Sequence, residues 1–349
     1  MSTNPTDEIL NVIGLDRYDT GVLNVPNMPT FMDLLRDAIS GNLDLSPAGL
    51  LQSFANVIFA EFIAHNGLIR QLVVVAILSA LMSVLTEAFT HKSAGQTGFY
   101  VTFLMTAALA VSSFHISVGI LNSLVSTVQN IMNVSIPIMI GLMTMGGNFV
   151  GAASVNSLLF LAFQLLGRFI AAVFVPLVLA ATALDIASKL SEDGAKLDKL
   201  SELTRKIADW TLKGILALFA FLLTLQRFSA PIASNFAIRT SRNVVGAVPV
   251  VGNAFTAAMD TVLNFSQAAR SGVLVALVLV LCAAIAAPLV KIFALSFLYK
   301  AVAALLQPVA DKRLVSLMDS IGKHLNMLFF AAALIGIMCI YTVIILLSF

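Results

Sequence analysis

Long apolar runs separated by shorter polar segments dominate the chain from residue 68 onward. An α-helix needs about 20 mostly apolar residues to cross a hydrocarbon core about 30 Å thick. Six runs reach this length, namely 68–90, 99–121, 155–183, 207–228, 271–290 and 326–348. The pattern therefore predicts an all-α protein with several transmembrane helices.

Two further runs are less regular. The run 131–147 is short and contains Pro137 and Gly141. The run 291–307 is separated from its predecessor by Pro288. Proline inside a helix removes a backbone hydrogen bond and is expected to kink or end it. Counting both runs as separate spans gives eight, so we expect a polytopic transmembrane helical protein with about six to eight spans.

The amino-terminal region differs from the rest of the chain in charge. Residues 1–67 hold 8 of the 18 acidic residues and 2 of the 20 basic ones, a net charge of −6, which leaves +8 on residues 68–349. Ser46 and Pro47 are typical of a helix start, and apolar residues recur at helical spacing through 47–65. We predict an acidic amino-terminal region, 1–67, that contains this amphipathic helix, and a polytopic membrane domain, 68–349. The helix lies either on the bilayer surface or against the protein's own body.

Composition leads to the same class of protein. The chain has 59% hydrophobic residues, 11% charged residues and a mean hydropathy of +0.97. That is too little charge to cover a soluble globule of this length. Cys282 and Cys339 lie in apolar runs and are expected to be buried hydrophobic residues. No segment has the dense basic character of a nucleic-acid-binding surface.

The distribution of basic residues gives a first expectation for topology. Eight spans with the amino terminus outside would place seven basic residues on the inside, namely Arg227, Arg239, Arg242, Arg270, Lys312, Arg313 and Lys323. The positive-inside rule favours this arrangement only slightly, because the segment 185–206, with five basic residues, would then lie outside.

The segment 185–209 is the most charged part of the chain. Leu200, Leu203 and Ile207 follow helical spacing up to Trp210. Tryptophan at such a junction suits the headgroup level of a membrane. We interpret the segment as a solvated loop with one surface helix, with a docking surface for a partner protein as the alternative.

Arg168 is an intramembrane charge in the span 155–183, about 13 residues from either end. A charge at that depth costs at least about 2.5 to 3.5 kcal/mol unless it is paired or hydrated. We therefore expect Arg168 to face a partner or water. Asp260 and Glu87 are candidate partners, and both a structural ion pair and a role in a pathway remain open.

A polar stripe follows the segment Pro249–Gly252, which cannot continue a regular helix comfortably. The stripe consists of Asn253, Thr256, Asp260, Asn264 and Gln267, which recur every three or four residues. In a membrane protein such a stripe faces water, a partner helix or another subunit. It indicates a conduit or partner face on a re-entrant element, or else a cytoplasmic amphipathic helix on the membrane surface.

Signatures of catalysis are absent from the sequence. It has no phosphate-binding loop of the Gly-x-x-x-x-Gly-Lys type and no Gly-x-Ser-x-Gly elbow, and its four histidines lack metal-binding spacing. Ser320 and Lys323 match a serine/lysine dyad pattern too loose to exceed chance. No enzyme, catalytic residue, cofactor or metal site is indicated.

Two motifs in the carboxy-terminal half resemble a known family. The first contains Arg239, Gly246, Pro249 and Gly252 and continues into Met259 and Asp260. The second runs from Leu298, Tyr299 and Lys300 to Gln307 and Pro308. In this order, and with the segment from Glu61 to Gly67, the chain resembles the stage III sporulation protein AE family over roughly residues 45–349.

The resemblance implies a function and a location. Members would lie in the mother-cell membrane around the engulfed forespore, as a core membrane part of the channel complex that joins the two cells. Implied partners are the sister proteins of the stage III sporulation A operon, including the ATPase and ring-forming components, stage II sporulation protein Q on the forespore side, and membrane lipid, without nucleic acid. Members usually begin with a secretory signal, whereas Met1 to Thr20 lack the apolar core of one.

Two other functions remain open. A secondary transporter for a small solute would contain similarly broken spans in inverted halves, and the interruptions at 137–147 and 249–252 are compatible with this. A structural scaffold without a pore is the third interpretation.

Overall fold

The computed structural model describes residues 92–145, 161–190, 195–245 and 284–348, together with isolated positions within 67–81 and 277–282. These residues are helical except for the turn 307–311, and none of them lies in a strand. The predicted all-α class is confirmed.

Five helices make up the described part of the chain. They are α1 (Lys92–Met145), α2 (Leu161–Leu190), α3 (Ala195–Val245), α4 (Ala284–Leu306) and α5 (Lys312–Ser348). Each contains a segment long and apolar enough to cross a membrane. The predicted count of six to eight spans is roughly matched.

Two helices continue through positions where we predicted breaks. Helix α1 includes Pro137 and Gly141 within 54 residues, and α4 includes Pro288. The separate spans 131–147 and 291–307 are therefore wrong. Proline costs a helix one backbone hydrogen bond, and membrane helices tolerate that loss where neighbouring groups satisfy the freed carbonyl.

Two glycines of α5 allow α4 to approach closely. A Cβ at Gly322 would lie 2.7 Å from Cγ of Lys300 and 3.2 Å from the carbonyl oxygen of Ser296. A Cβ at Gly336 would lie 2.6 Å from Cγ2 of Ile285. Close packing of this kind drives helix association in lipid, where the hydrophobic effect between helices is absent. The two helices form an antiparallel hairpin.

Asp311 closes the turn of this hairpin and begins α5. Its Oδ1 accepts a hydrogen bond from the backbone N–H of Arg313 at 2.8 Å, and its carbonyl accepts one from Leu314 at 3.0 Å. Aspartate at this position satisfies backbone N–H groups that the first turn of a helix leaves free. At the other side of the turn, the N–H of Gln307 still donates to the carbonyl of Ala303 at 3.1 Å.

Side-chain contacts show that α1 and α5 run parallel. The guanidinium of Arg313 lies 3.9 Å from the centroid of the Phe99 ring. Further along both helices, the Phe114 ring meets the His324 ring edge to face at 6.5 Å.

Helices α1 and α2 run antiparallel. Gln164 donates to Oδ1 of Asn133 at 3.4 Å, whereas Gly167, later in α2, faces Val125, earlier in α1. Because α1 is parallel to α5, the end of α2 and the beginning of α5 lie at the same end of the bundle.

This arrangement contradicts the eight-span topology. That topology placed the segment 185–206 outside and the bases of 312–323 inside, but the structure brings both segments to the same end of the bundle. The error follows from the break predicted at Pro288, because that supposed break lies between the two segments and reversed the direction of all later helices.

The inside of the bundle is mostly apolar. Its largest fully buried side chains are Tyr299, Phe103, Phe114, Phe163, Phe174 and Leu121. Large apolar side chains also cover the outer faces, including Val101, Leu165, Phe221, Phe297 and Ile337. Such outer faces suit contact with lipid or with other membrane proteins.

Candidate functional site

The predicted site residues fall into two groups. Outside the described residues lie Asn253, Thr256, Asp260, Asn264, Gln267, Gly246, Pro249 and Gly252. The conduit or partner face therefore stays a prediction. Among the others, Arg239 belongs to α3.

The motif residues of the second segment have structural positions. Lys300 is partly buried, with its aliphatic stem against Gly322, and Gln307 and Pro308 are exposed in the turn between α4 and α5. Tyr299 is fully buried, and its hydroxyl lies 2.9 Å from Oγ of Ser113 in α1. This segment therefore packs α4 against its neighbours and ends the helix.

Arg168 lies on the outer face of α2. It is exposed, and the apolar side chains Leu161, Leu165 and Phe169 on the same helix are 60%, 58% and 44% exposed. It forms no ion pair with any residue that the structure describes. Its candidate partners Asp260 and Glu87 lie outside those residues.

A polar patch adjoins Arg168 where α2 meets α1. The Gln164 amide contacts Asn133, as described above. The side-chain nitrogen of Gln129 is buried without a hydrogen-bond partner among the described residues, 3.2 Å from where a Cβ of Gly167 would lie. This patch was not predicted from the sequence, although Gln129 and Asn133, and likewise Gln164 and Arg168, are four residues apart and share a helix face.

A π-helical turn over Ile170–Phe174 begins two residues after Arg168. Such a turn admits one extra residue and is frequent at functional sites. Here Ile170 and Phe174 are both buried, while Arg168 and Phe169 stay exposed.

A second polar cluster lies inside the bundle, where α2, α3 and α5 meet. His324 is fully buried; its Nδ1 lies 3.0 Å from Oγ1 of Thr182, and its Nε2 lies 3.4 Å from Oδ2 of Asp185. Ser201 of α3 donates to Oδ1 of Asp185 at 2.5 Å. One cluster therefore joins three helices.

Next to this cluster, further polar contacts join the end of α2 to the beginning of α3. Asp198 accepts hydrogen bonds from Oγ of Ser188 at 2.6 Å and from Nζ of Lys189 at 2.7 Å. These contacts hold the end of α2 against the beginning of α3.

The cluster of Asp185 and His324 was not predicted from the sequence. Asp185 is the first residue of the charged segment and His324 follows Lys323, so neither stands out from its neighbours, and their helices are far apart in the sequence. The only local signal was the spacing of Thr182 and Asp185, which places them on one helix face.

The charged segment carries an exposed apolar stripe. Leu200, Leu203, Ile207 and Trp210 are 47%, 54%, 46% and 76% exposed along one side of α3. Charged pairs flank them, with Lys206 2.9 Å from Glu202 and Lys213 2.6 Å from Asp209. The predicted loop with one surface helix is wrong in extent, because Ala195–Val245 is one helix of 51 residues.

Comparison with known proteins assigns the family. The family model described as stage III sporulation protein AE matches residues 30–349. The chain belongs to the stage III sporulation protein AE family. The match begins before residue 45, where the resemblance was expected to start.

The chain is also similar to a known member of the stage III sporulation protein AE family. The chain is 27% identical over 305 residues to stage III sporulation protein AE of Bacillus subtilis (strain 168), which covers 87% of this chain and 76% of the relative. No solved structure gives a significant match.

Proposed function

We propose that this chain is a membrane component of the channel complex that joins the mother cell to the engulfed forespore during endospore development. It would lie in the mother-cell membrane and assemble with the sister proteins of its operon, including the ATPase and ring-forming components, and with stage II sporulation protein Q. Family membership and the bundle of candidate membrane helices support this proposal. The chemical energy would come from the ATPase partner.

The exposed position of Arg168 is the observation that carries the proposal. In a monomer surrounded by lipid, the guanidinium would lie among exposed apolar side chains, at a cost of at least about 2.5 to 3.5 kcal/mol. A carboxylate of another protein or a hydrated path would remove that cost. The adjacent patch of Gln129, Asn133 and Gln164 adds further polar groups at the same level.

The exposed stripe of α3 supports the same conclusion. Protein interfaces typically have an apolar centre and a charged or polar rim, and this stripe with its flanking ion pairs has the same arrangement. A membrane complex with several partners uses surfaces of this kind.

A free-standing transporter has less support. It would need similarly broken helices in two halves of the chain, but α1 continues through Pro137 and Gly141. The matching interruption at 249–252 lies outside the described residues. The exposed Arg168 also needs a partner that a single transporter chain would have to supply itself.

Copurification from sporulating cells tests the proposal. The full chain, carrying an affinity tag and extracted in a mild detergent, is expected to retain its operon partners. Arg168→Leu should lose them and stop sporulation after engulfment, whereas Arg168→Lys should retain them in part because the charge is kept.

The matched control is Leu165→Ala, which changes an exposed residue one turn away on the same face. It should retain the partners. Copurification of the partners with Arg168→Leu at wild-type levels, or a wild-type chain that purifies without them, would contradict the proposal.

A further inference from the structure

The Asp185 and His324 pair is the most unusual buried group in the described bundle. Asp185 is 8% exposed and His324 is fully buried. Membrane proteins seldom bury ionisable residues, and those that do commonly use them to bind or move protons or ions. The pair lies near the charged end of the bundle, one turn from Lys189 and next to Lys323 in the sequence.

The hydroxyl of Thr182 has one proton and two possible acceptors. Its Oγ1 lies 2.8 Å from the carbonyl of Val178 in the preceding turn and 3.0 Å from Nδ1 of His324. If the hydroxyl donates to Val178, then Nδ1 of His324 must carry a proton and donate to Oγ1. If it donates to Nδ1, that nitrogen must be unprotonated.

Each choice fixes the state of the other ring nitrogen. With Nδ1 unprotonated, neutral His324 carries its proton on Nε2, the ring nitrogen that lies 3.4 Å from Oδ2 of Asp185, and the pair has one negative charge. With Nδ1 protonated, an unprotonated Nε2 would set its lone pair against the carboxylate oxygen at 3.4 Å. That arrangement is repulsive unless one more proton lies between Nε2 and Oδ2.

We propose that Asp185 and His324 form a binding site for a single proton, and that Thr182 changes its hydrogen-bond acceptor when the proton is taken up. Uptake forms one N–H bond and converts neutral imidazole and carboxylate into imidazolium and carboxylate, or their proton-shifted equivalent, with no other covalent bond changed. The site loses its net negative charge. A buried pair without net charge costs less than a single buried charge.

Among the residues that the structure describes, few other charged groups surround the site. Arg205 of α3 and Lys323 of α5 act on the imidazole electrostatically, and Asp185 is its nearest anion. Helix α1 presents the uncharged ring of Phe114. Helix α4 places Lys300 against Gly322, two residues before His324.

Proton uptake would act on the contact between α5 and the α2–α3 pair. Nε2 of His324 has no hydrogen-bond partner of good geometry among the described residues, so the contact with Asp185 has room to shorten when the proton arrives. Ser201 holds the opposite oxygen of the carboxylate. The site therefore links the protonation state to the position of α5.

Nitrogen NMR of the full-length protein, labelled with ¹⁵N-histidine in detergent micelles, tests the proposal. His324→Gln identifies the signal of His324, and His115→Gln, which changes an exposed histidine of α1, is the control. From about pH 8 to about pH 4, the His324 signal should pass from the neutral form protonated on Nε2 to the form protonated on both nitrogens. A His324 signal unchanged over this range would overturn the proposal.

Substitutions of Asp185 and Thr182 distinguish a proton-binding site from a pair that only packs together. Asp185→Asn should abolish the doubly protonated form over the same range and favour the neutral form protonated on Nδ1, because the amide can donate to Nε2. Thr182→Val should suppress the doubly protonated form, since Nδ1–H would lose its acceptor, whereas Thr182→Ser should keep it. A Thr182→Val titration equal to that of the wild type would count against the proposal even if Asp185→Asn failed to fold.

Discussion

At the scale of single residues, the structure gives a physical role to positions that the sequence marked only as parts of a family motif. Lys300, Gln307 and Pro308 belong to a recognised motif, and they pack against Gly322 or form the turn after α4. The pair of Asp185 and His324 was not predictable, because 142 residues separate His324 from its Thr182 contact. Only tertiary packing brings residues so far apart in the sequence together.

Replacement of Gly322 by alanine should destabilise the bundle. The new methyl group would lie 3.2 Å from the carbonyl oxygen of Ser296 and closer still to Lys300, and overpacking of this kind costs about 1 to 3 kcal/mol. We expect a lower midpoint of thermal unfolding in detergent micelles. Gly214→Ala is the control, since nothing lies within 4 Å of its Cβ position; equal midpoints for the two variants would refute the close contact.

Replacement of Tyr299 by phenylalanine should remove the hydrogen bond to Ser113 while keeping the ring. A buried hydrogen bond contributes about 1 kcal/mol, so Tyr299→Phe and Ser113→Ala should each lower the free energy of unfolding by about that amount. The double variant should cost less than the sum, because both changes remove the same interaction. Additive losses would indicate that the hydroxyls do not bond to each other.

At the scale of elements, helical spacing predicted the presence of helices better than their ends. The spacing of Leu200, Leu203 and Ile207 correctly indicated a helix, but that helix continues to Val245. A change in polarity marks where a helix meets water, whereas its backbone hydrogen bonds continue across that boundary. The wrong breaks at Pro137 and Pro288 have another cause, because a membrane helix can continue past a proline when neighbouring groups satisfy the freed carbonyl.

Trp210 allows a direct test of where α3 meets the membrane surface. It is the single tryptophan of the chain and is 76% exposed. If it anchors the helix at headgroup level, lipids brominated near the headgroup should quench its fluorescence in reconstituted vesicles more than lipids brominated at the chain end. Trp210→Phe supplies the background, and emission that neither lipid quenches would place the indole in water.

At the scale of the whole molecule, contacts between helices reverse the topology expected from sequence. The end of α2 and the beginning of α5 share one end of the bundle, and that end carries Lys189, Lys199, Arg205, Lys312 and Arg313. The positive-inside rule then favours a cytoplasmic position for this end. The end of α3, with Arg239 and Arg242, lies toward the opposite end.

Cysteine labelling in intact and opened cells checks this topology. In a chain whose Cys282 and Cys339 are replaced by alanine, Lys199→Cys and Val309→Cys should react with an impermeant thiol reagent only after the cells are opened. Arg242→Cys should react from the other side. Labelling of positions 199 and 309 from opposite sides would restore the eight-span arrangement.

The most direct test of the proposed channel component is photocrosslinking from position 168 in sporulating cells. A photoreactive amino acid in place of Arg168 should crosslink to an operon partner after engulfment, because the outer face of α2 would lie against that protein. The same amino acid in place of Phe163, which is 1% exposed, should react only within the chain. Crosslinks from position 168 to lipid alone would contradict the account.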